Sequence, residues 1–235
     1  MAKPPSTRSS SRQIQRFLQQ SRNISEFVAK QPRLMFAIDA TASRQPSWDQ
    51  ASHLQQEMFL ATRNIASLAV QLCYYRGYHQ FQASAWLTDS TQLASQMSRV
   101  QCEGGHTQIA RLLRHAQQEH GKSPVRALVF IGDAMEESAD TLCQLAGQCG
   151  LLKLPVFMFQ EGLEPTAERC FRDVARLSSG AYARFDTSSA SNLAALLGAV
   201  ASFAAGGRVA LENRVDDSAK LLLQQLRNLG SMCPD

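Results

Sequence analysis

Leu34-Met35-Phe36-Ala37-Ile38-Asp39-Ala40-Thr41-Ala42-Ser43 runs five apolar residues into an alternating file of oxygen-bearing side chains. A short, unbroken apolar run is the pattern of a parallel strand buried on both faces, because neither face meets water. Here the run ends in Asp39, so a carboxylate emerges at the end of a buried strand. The same pattern returns further along. Ala127-Leu128-Val129-Phe130-Ile131 ends in Gly132-Asp133, Val156-Phe157-Met158-Phe159 is a third such run, and residues 181–185 form a last strand.

Between these runs the apolar period changes from continuous to helical. Ser47-x-x-Gln50 has the form of a capping box, and Leu54, Met58, Ala61, Ile65, Leu68 and Leu72 follow it at helical spacing. Further helical faces are carried by Ile109, Leu112, Leu113 and Ala116; by Leu142, Leu145, Ala146 and Cys149; and by Phe171, Val174, Ala175 and Leu177. A short helix is expected near residues 91–97, and a buried one over 193–204. Residues 72–75 and 81–87, with Gly77 between them, predict an antiparallel hairpin at one edge of the sheet. Strands alternating with helices define an α/β class. The expected architecture is a doubly wound, mostly parallel central sheet with helices on both faces and one antiparallel edge strand. Residues 33–206 carry this pattern. Residues 1–32 form a basic arm and an amphipathic helix (Ile14, Phe17, Leu18, Ile24, Val28). Residues 207–235 divide into a linker over 208–214 and a helix over 215–229 with Leu222, Leu223, Leu226 and Leu229.

A chain of 235 residues with 44% hydrophobic and 19% charged content is an ordinary globular composition. Its net charge of +4 is uneven. Residues 1–33 carry seven Lys/Arg against Glu26 alone, a local excess of six positive charges, while the remainder is slightly acidic. Such an arm suits either solvent or an acidic partner. No apolar stretch follows the basic N-terminus as a secretory leader requires. The apolar run near residues 193–205 is shorter than the roughly 20 residues needed to span a bilayer. The six cysteines show no C-x-x-C spacing, and several lie inside apolar periodic runs, which suits reduced, buried thiols. These features set the expectation of a cytoplasmic protein.

In an open parallel sheet, ligands sit beyond the carboxyl ends of the strands. Three polar clusters fall there: Asp39-Ala-Thr41-Ala-Ser43, Gly104-Gly105-His106-Thr107 and Gly132-Asp133. Their donors are carboxylates and hydroxyls, hard oxygen ligands of the kind that suit magnesium or manganese. Loop capping without a metal is the plainer alternative for Asp39, Thr41 and Ser43. No G-x-x-x-x-G-K-[ST] loop, no G-x-S-x-G elbow and no nucleophile-plus-base pair is present, so an enzyme is not expected. A magnesium-dependent phosphohydrolase remains an alternative around Asp39, although Thr41 stands where that chemistry wants a second aspartate. A nucleic-acid-binding module using the basic arm is another, although the body lacks a basic patch with interleaved aromatics.

The three clusters resemble the metal-ion-dependent adhesion site of the von Willebrand factor A family, which has Asp-x-Ser-x-Ser, then a Thr in a second loop, then an Asp in a third. Thr41 stands here for the middle Ser and still offers a hydroxyl. The resemblance covers about residues 33–206. It implies that Ser43, Thr107 and Thr41 contact a divalent cation, with Asp39 and Asp133 acting directly or through water. It also implies that the open coordination position accepts an Asp or Glu carboxylate of a partner protein. The family often serves within larger intracellular assemblies that include ATPases or chaperones. His106, Trp48 and Glu136 are placed at the partner-binding rim. The third loop departs from the pattern, reading Asp133-Ala134-Met135-Glu136-Glu137 where many members have Gly after the Asp. Glu136 and Glu137 are expected to open the next helix, where acids suit the positive end of the dipole; metal contact by one of them is the alternative.

Overall fold

Each of the apolar runs becomes a strand. The computed structural model describes residue 15 and residues 31–42, 67–185 and 190–230. Six strands, β1 (Arg33–Asp39), β2 (Ala69–Arg76), β3 (Gln80–Ala83), β4 (Val125–Gly132), β5 (Val156–Glu161) and β6 (Tyr182–Phe185), form one sheet in the order β3-β2-β1-β4-β5-β6. All neighbours are parallel except β2 and β3, which pair antiparallel around the Gly77 turn. The hairpin strand is shorter than residues 81–87. At Ser84 the backbone N–H still donates to the Leu72 carbonyl, but the Ser84 hydroxyl accepts from the Leu72 N–H, and regular pairing stops.

Alternation sorts the side chains into two cores. Leu34, Phe36, Ile38, Val129, Ile131, Phe157 and Phe159 point to one face. That face is covered by α1 (Ser90–Met97), α5 (Ala190–Glu212) and α6 (Asp217–Gly230). Met35, Ala37, Tyr75, Leu128, Phe130, Val156 and Met158 point to the other. There α2 (Ile109–Lys122), α3 (Ala139–Leu151) and α4 (Pro165–Leu177) pack. With both faces covered, the strands have no exposed side, which is why they read as continuous apolar runs. Cys73, Cys149 and Cys170 are buried, and Cys102 and Cys143 half-buried. Burial pushes the Cys170 thiol up to about 12, so it is unreactive near neutral pH.

The C-terminal region differs from the expected linker. Residues 208–212 continue α5 beyond a break at Gly207, whose φ of 68° and ψ of −160° leave the helical region. Glycine reaches that backbone without the penalty a Cβ imposes. Residues 191–212 are long and apolar enough to cross a membrane by composition alone, yet Leu193, Leu196, Leu197, Val200 and Ala204 are buried under the sheet. Helix α6 is docked rather than trailing, with Ala219 and Leu222 fully buried. It also closes one sheet edge. The Tyr182 N–H donates to Gln225 Oε1 at 2.9 Å, and the Tyr182 carbonyl accepts from Gln225 Nε2 at 2.7 Å. A side-chain amide thus replaces the missing neighbour strand at that residue, which blunts an edge otherwise open to pairing. Residues 1–14, 16–30 and 43–66, which hold the N-terminal arm and most of the helix expected after Ser47, lie outside the described residues. Leu68 and Leu72, placed at the end of that helix, are not helical, and Leu72 belongs to β2.

Removing the Gln225 amide strips two partners from the Tyr182 backbone. Gln225→Ala should therefore cost about 1–3 kcal/mol in urea unfolding. Unchanged stability would mean that water or another group satisfies this edge equally well.

Candidate functional site

The strand order places the site. After β1 the chain builds β2 and β3 on one side, then crosses to β4 on the other. The ends of β1 and β4 therefore flank the point where the winding reverses, which is where open α/β sheets bind ligands. Ile38 pairs with Ile131, so Asp39 ends its strand beside Gly132. A Cβ on Gly132 would lie 3.8 Å from the Asp39 Cβ and 2.7 Å from the Phe130 ring. Glycine at 132 lets the two strand ends approach without displacing that ring. Asp39 is only 1% exposed, and its Oδ1 accepts from the Thr41 N–H at 2.8 Å. That local bond fixes the carboxylate and turns the chain off the strand, as Asp does in an Asx turn.

The second loop is tied to the first and to the β2–β3 turn. The Glu103 N–H donates to the Ala40 carbonyl at 3.0 Å, and the Ala40 N–H to the Tyr75 carbonyl at 3.0 Å. The His106 N–H donates to the Gly77 carbonyl at 3.3 Å. Gly105 lies so close to Gly77 that an added Cβ would come within 1.9 Å of its carbonyl oxygen. This contact explains the glycine at 105. Thr107, at 6% exposure, is buried where the loop enters α2.

The third loop clasps the second with two carboxylates. Glu136 Oε2 accepts from both the Thr107 N–H (2.9 Å) and the Thr107 hydroxyl (2.8 Å). In return the Glu136 N–H donates to Thr107 Oγ1 at 3.1 Å. Glu137 accepts from the Ile109 and Ala110 N–H groups at 2.5 and 2.9 Å. Here the expectation that both glutamates open the following helix is corrected. Helix α3 starts at Ala139 with Ser138 as its N-cap. Glu137 instead caps α2, whose own N-cap residue, Gln108, makes no side-chain capping bond. The Glu137 carboxylate thus meets the positive end of the α2 dipole, 28 residues before it in the chain. Burial pushes the Glu137 carboxyl above its usual range, against the pull of the Ala110 and Ile109 amides.

Asp39, Thr41, Thr107 and Asp133 therefore stand on loops that hydrogen bonds or adjacent strand ends join together. Asp133 and Thr41 are half-buried. Ser43 and Trp48 lie outside the described residues. Among the described residues, no three His, Cys, Asp or Glu side chains gather as a metal centre made of those donors alone would. The donor set fits a hard cation only as the sequence proposed it: two carboxylates supplemented by hydroxyls.

His106 is exposed, as a rim residue should be, and packs edge-on against Tyr78 with ring centroids 5.3 Å apart. Tyr78, 67% exposed, was not anticipated. Its only sequence signal is an aromatic residue directly after the turn glycine. His115 and His120 are half-buried. His115 Nε2 lies 3.1 Å from Gln71 Oε1, and its ring packs on Phe81. Burial moves the His115 imidazole below its ordinary value. The Trp86 indole donates to Glu119 Oε2 at 3.1 Å, in keeping with a packing role.

No family model matches the sequence, and the curated proteins contain no match to it. Solved structures do match. The von Willebrand factor type A protein from Catenulispora acidiphila superposes with a TM-score of 0.59 at 15% identity, covering 75% of this chain and 43% of that one. The SpRpn10 VWA domain gives 0.55 at 13% identity, covering 69% of this chain and 95% of its own. Proximal thread matrix protein 1 from the mussel byssus, with a zinc-occupied MIDAS motif, gives 0.56 at 11% identity, covering 74% and 46%. The fold is that of a von Willebrand factor A (VWA) domain.

Two substitutions probe how the loops are joined. Gly105→Ala forces backbone against backbone and should destabilise by about 1–3 kcal/mol or more. Glu137→Ala leaves two helix N–H groups without their cap and should cost about 1–3 kcal/mol. Both are read from denaturant midpoints. A neutral Gly105→Ala would show that the loop can move off Gly77, and a neutral Glu137→Ala that the α2 terminus is capped by other means.

Proposed function

We propose that the chain is a protein-interaction module whose recognition element is a divalent cation, magnesium or manganese. Asp39, Thr41, Ser43, Thr107 and Asp133 would hold it. The observation that carries this reading is the joining of three loops, each bearing hard oxygen donors, at the switch point of the sheet. The zinc at the corresponding motif of the byssus protein supports it by analogy of fold. When bound, the cation supplies an electrophilic position that takes an anionic oxygen. The protein's own part is to supply two carboxylates and several neutral hydroxyls, leaving the ion with residual attraction for a partner's Asp or Glu. His106 and Tyr78 form an exposed aromatic edge beside Thr107 and would contact that partner outside the ion. Binding, rather than turnover, is the proposed activity, within the cytoplasm and in a larger assembly.

Manganese titration should reveal one saturable site per chain. Asp39→Ala should abolish it and Thr107→Ala should weaken it, while circular dichroism shows the fold retained. Unchanged manganese affinity in both variants would sink the assignment. A partner captured from extract should be released by chelator and recovered with added magnesium or manganese. Replacing its recognised Asp or Glu by the amide should cost about 2–5 kcal/mol of binding, the scale of a desolvated charge contact. A partner that stays bound in excess chelator, with the domain folded, would place recognition elsewhere on the surface.

A further inference from the structure

We propose that Glu136 is a positioning residue for the cation site: it accepts the hydrogen bond of the Thr107 hydroxyl, so that the oxygen of that hydroxyl is presented to the metal. The inference rests on the cation reading above. A hydroxyl has one proton and two lone pairs, and it ligates a metal through a lone pair, so its proton must point elsewhere. At Thr107 both sides of this requirement are met by one residue. The proton goes to Glu136 Oε2 at 2.8 Å, one lone pair accepts the Glu136 N–H at 3.1 Å, and one lone pair remains. The Thr107 N–H donates to the same carboxylate oxygen at 2.9 Å, so the residue is held at its backbone as well as at its side chain. Thr107 is buried and Glu136 exposed, which places the carboxylate on the solvent side of the hydroxyl it orients.

A charged acceptor behind a ligating hydroxyl also makes its oxygen a better donor to a cation, as outer-shell carboxylates do for other metal ligands. Glu136 does not join Asp39 and Asp133 in a three-carboxylate cluster able to hold an ion. A cation held there would have the two carboxylates of Asp39 and Asp133 and would keep its attraction for an incoming carboxylate. This assigns a use to the departure from the family pattern in the third loop. Glu137 caps α2 and also faces the Thr107 side chain, while Glu136, one position before it, accepts the hydrogen bond of the Thr107 hydroxyl.

The experiment uses the full chain with manganese alone as probe. Affinity is measured by the free-manganese paramagnetic resonance signal, and inner-sphere waters are counted by water-proton relaxation. Glu136→Ala should weaken manganese binding by about 10–100-fold, the usual effect of losing an outer-shell partner. Glu136→Gln, whose amide oxygen still accepts the hydroxyl proton, should recover most of that loss with the water count unchanged. In a Thr107→Val background, which has no hydroxyl to orient, Glu136→Ala should add little further loss. Wild-type affinity in Glu136→Ala would overturn the proposal. So would a Glu136→Gln variant as weak as Glu136→Ala with one additional bound water, which would make Glu136 a direct ligand. A full additional loss in the Thr107→Val background would also overturn it. A wild-type chain that binds no manganese would instead remove the cation reading itself, which distinguishes the two failures.

Discussion

A sheet covered on both faces has only its strand ends to offer to water, and most of this molecule follows from that constraint. The interiors of β1, β4 and β5 are apolar on both sides, so polar chemistry is displaced to the residues just beyond them. Asp39 is the last residue of β1 and Asp133 the first after β4, while the apolar runs before them hold no acid. The order β3-β2-β1-β4-β5-β6 then sets those two ends side by side. Burial of the faces and placement of the acids are thus one fact about the sheet.

Adjacency of strand ends would not by itself make a defined site, because loops left to themselves move. Here the loops are fastened to one another by a small number of specific bonds. Ala40 holds Glu103, Gly77 holds His106, and Thr107 and the start of α2 are held by Glu136 and Glu137. The close approach of Gly105 to Gly77 permits part of this network, since any side chain at 105 would meet the turn backbone. Several of these bonds use main-chain groups, so they hold the position of each loop while leaving side-chain oxygens to define its chemistry.

The same economy appears at the sheet's margin. The short strand β6 is finished by an amide from α6 rather than by another strand. This makes the C-terminal helix part of the domain's covering, together with the apolar residues it buries beside α5. Residues 208–212 of the expected linker are helical, continuing α5 beyond the break at Gly207.

The fold class, the parallel strands, the hairpin edge and the loops bearing Asp39, Thr107 and Asp133 were all legible in the sequence. Each depends on local periodicity, or on a residue type next to a strand end, and both survive without knowledge of distant contacts. Tertiary structure decided the partners. That Glu137 caps α2 and not α3, that Glu136 accepts from the Thr107 hydroxyl, that Gln225 closes β6 and that Tyr78 stands beside His106 are contacts between residues 28 to 43 positions apart in the chain. Sequence spacing carries no information about such pairs, because their distance is set by how helices and strands pack and not by the chain between them. An acid before a helix looks the same whether it caps that helix or reaches across to another. Only the packed loops, with one helix terminus lacking a cap of its own, determine which N–H groups it serves.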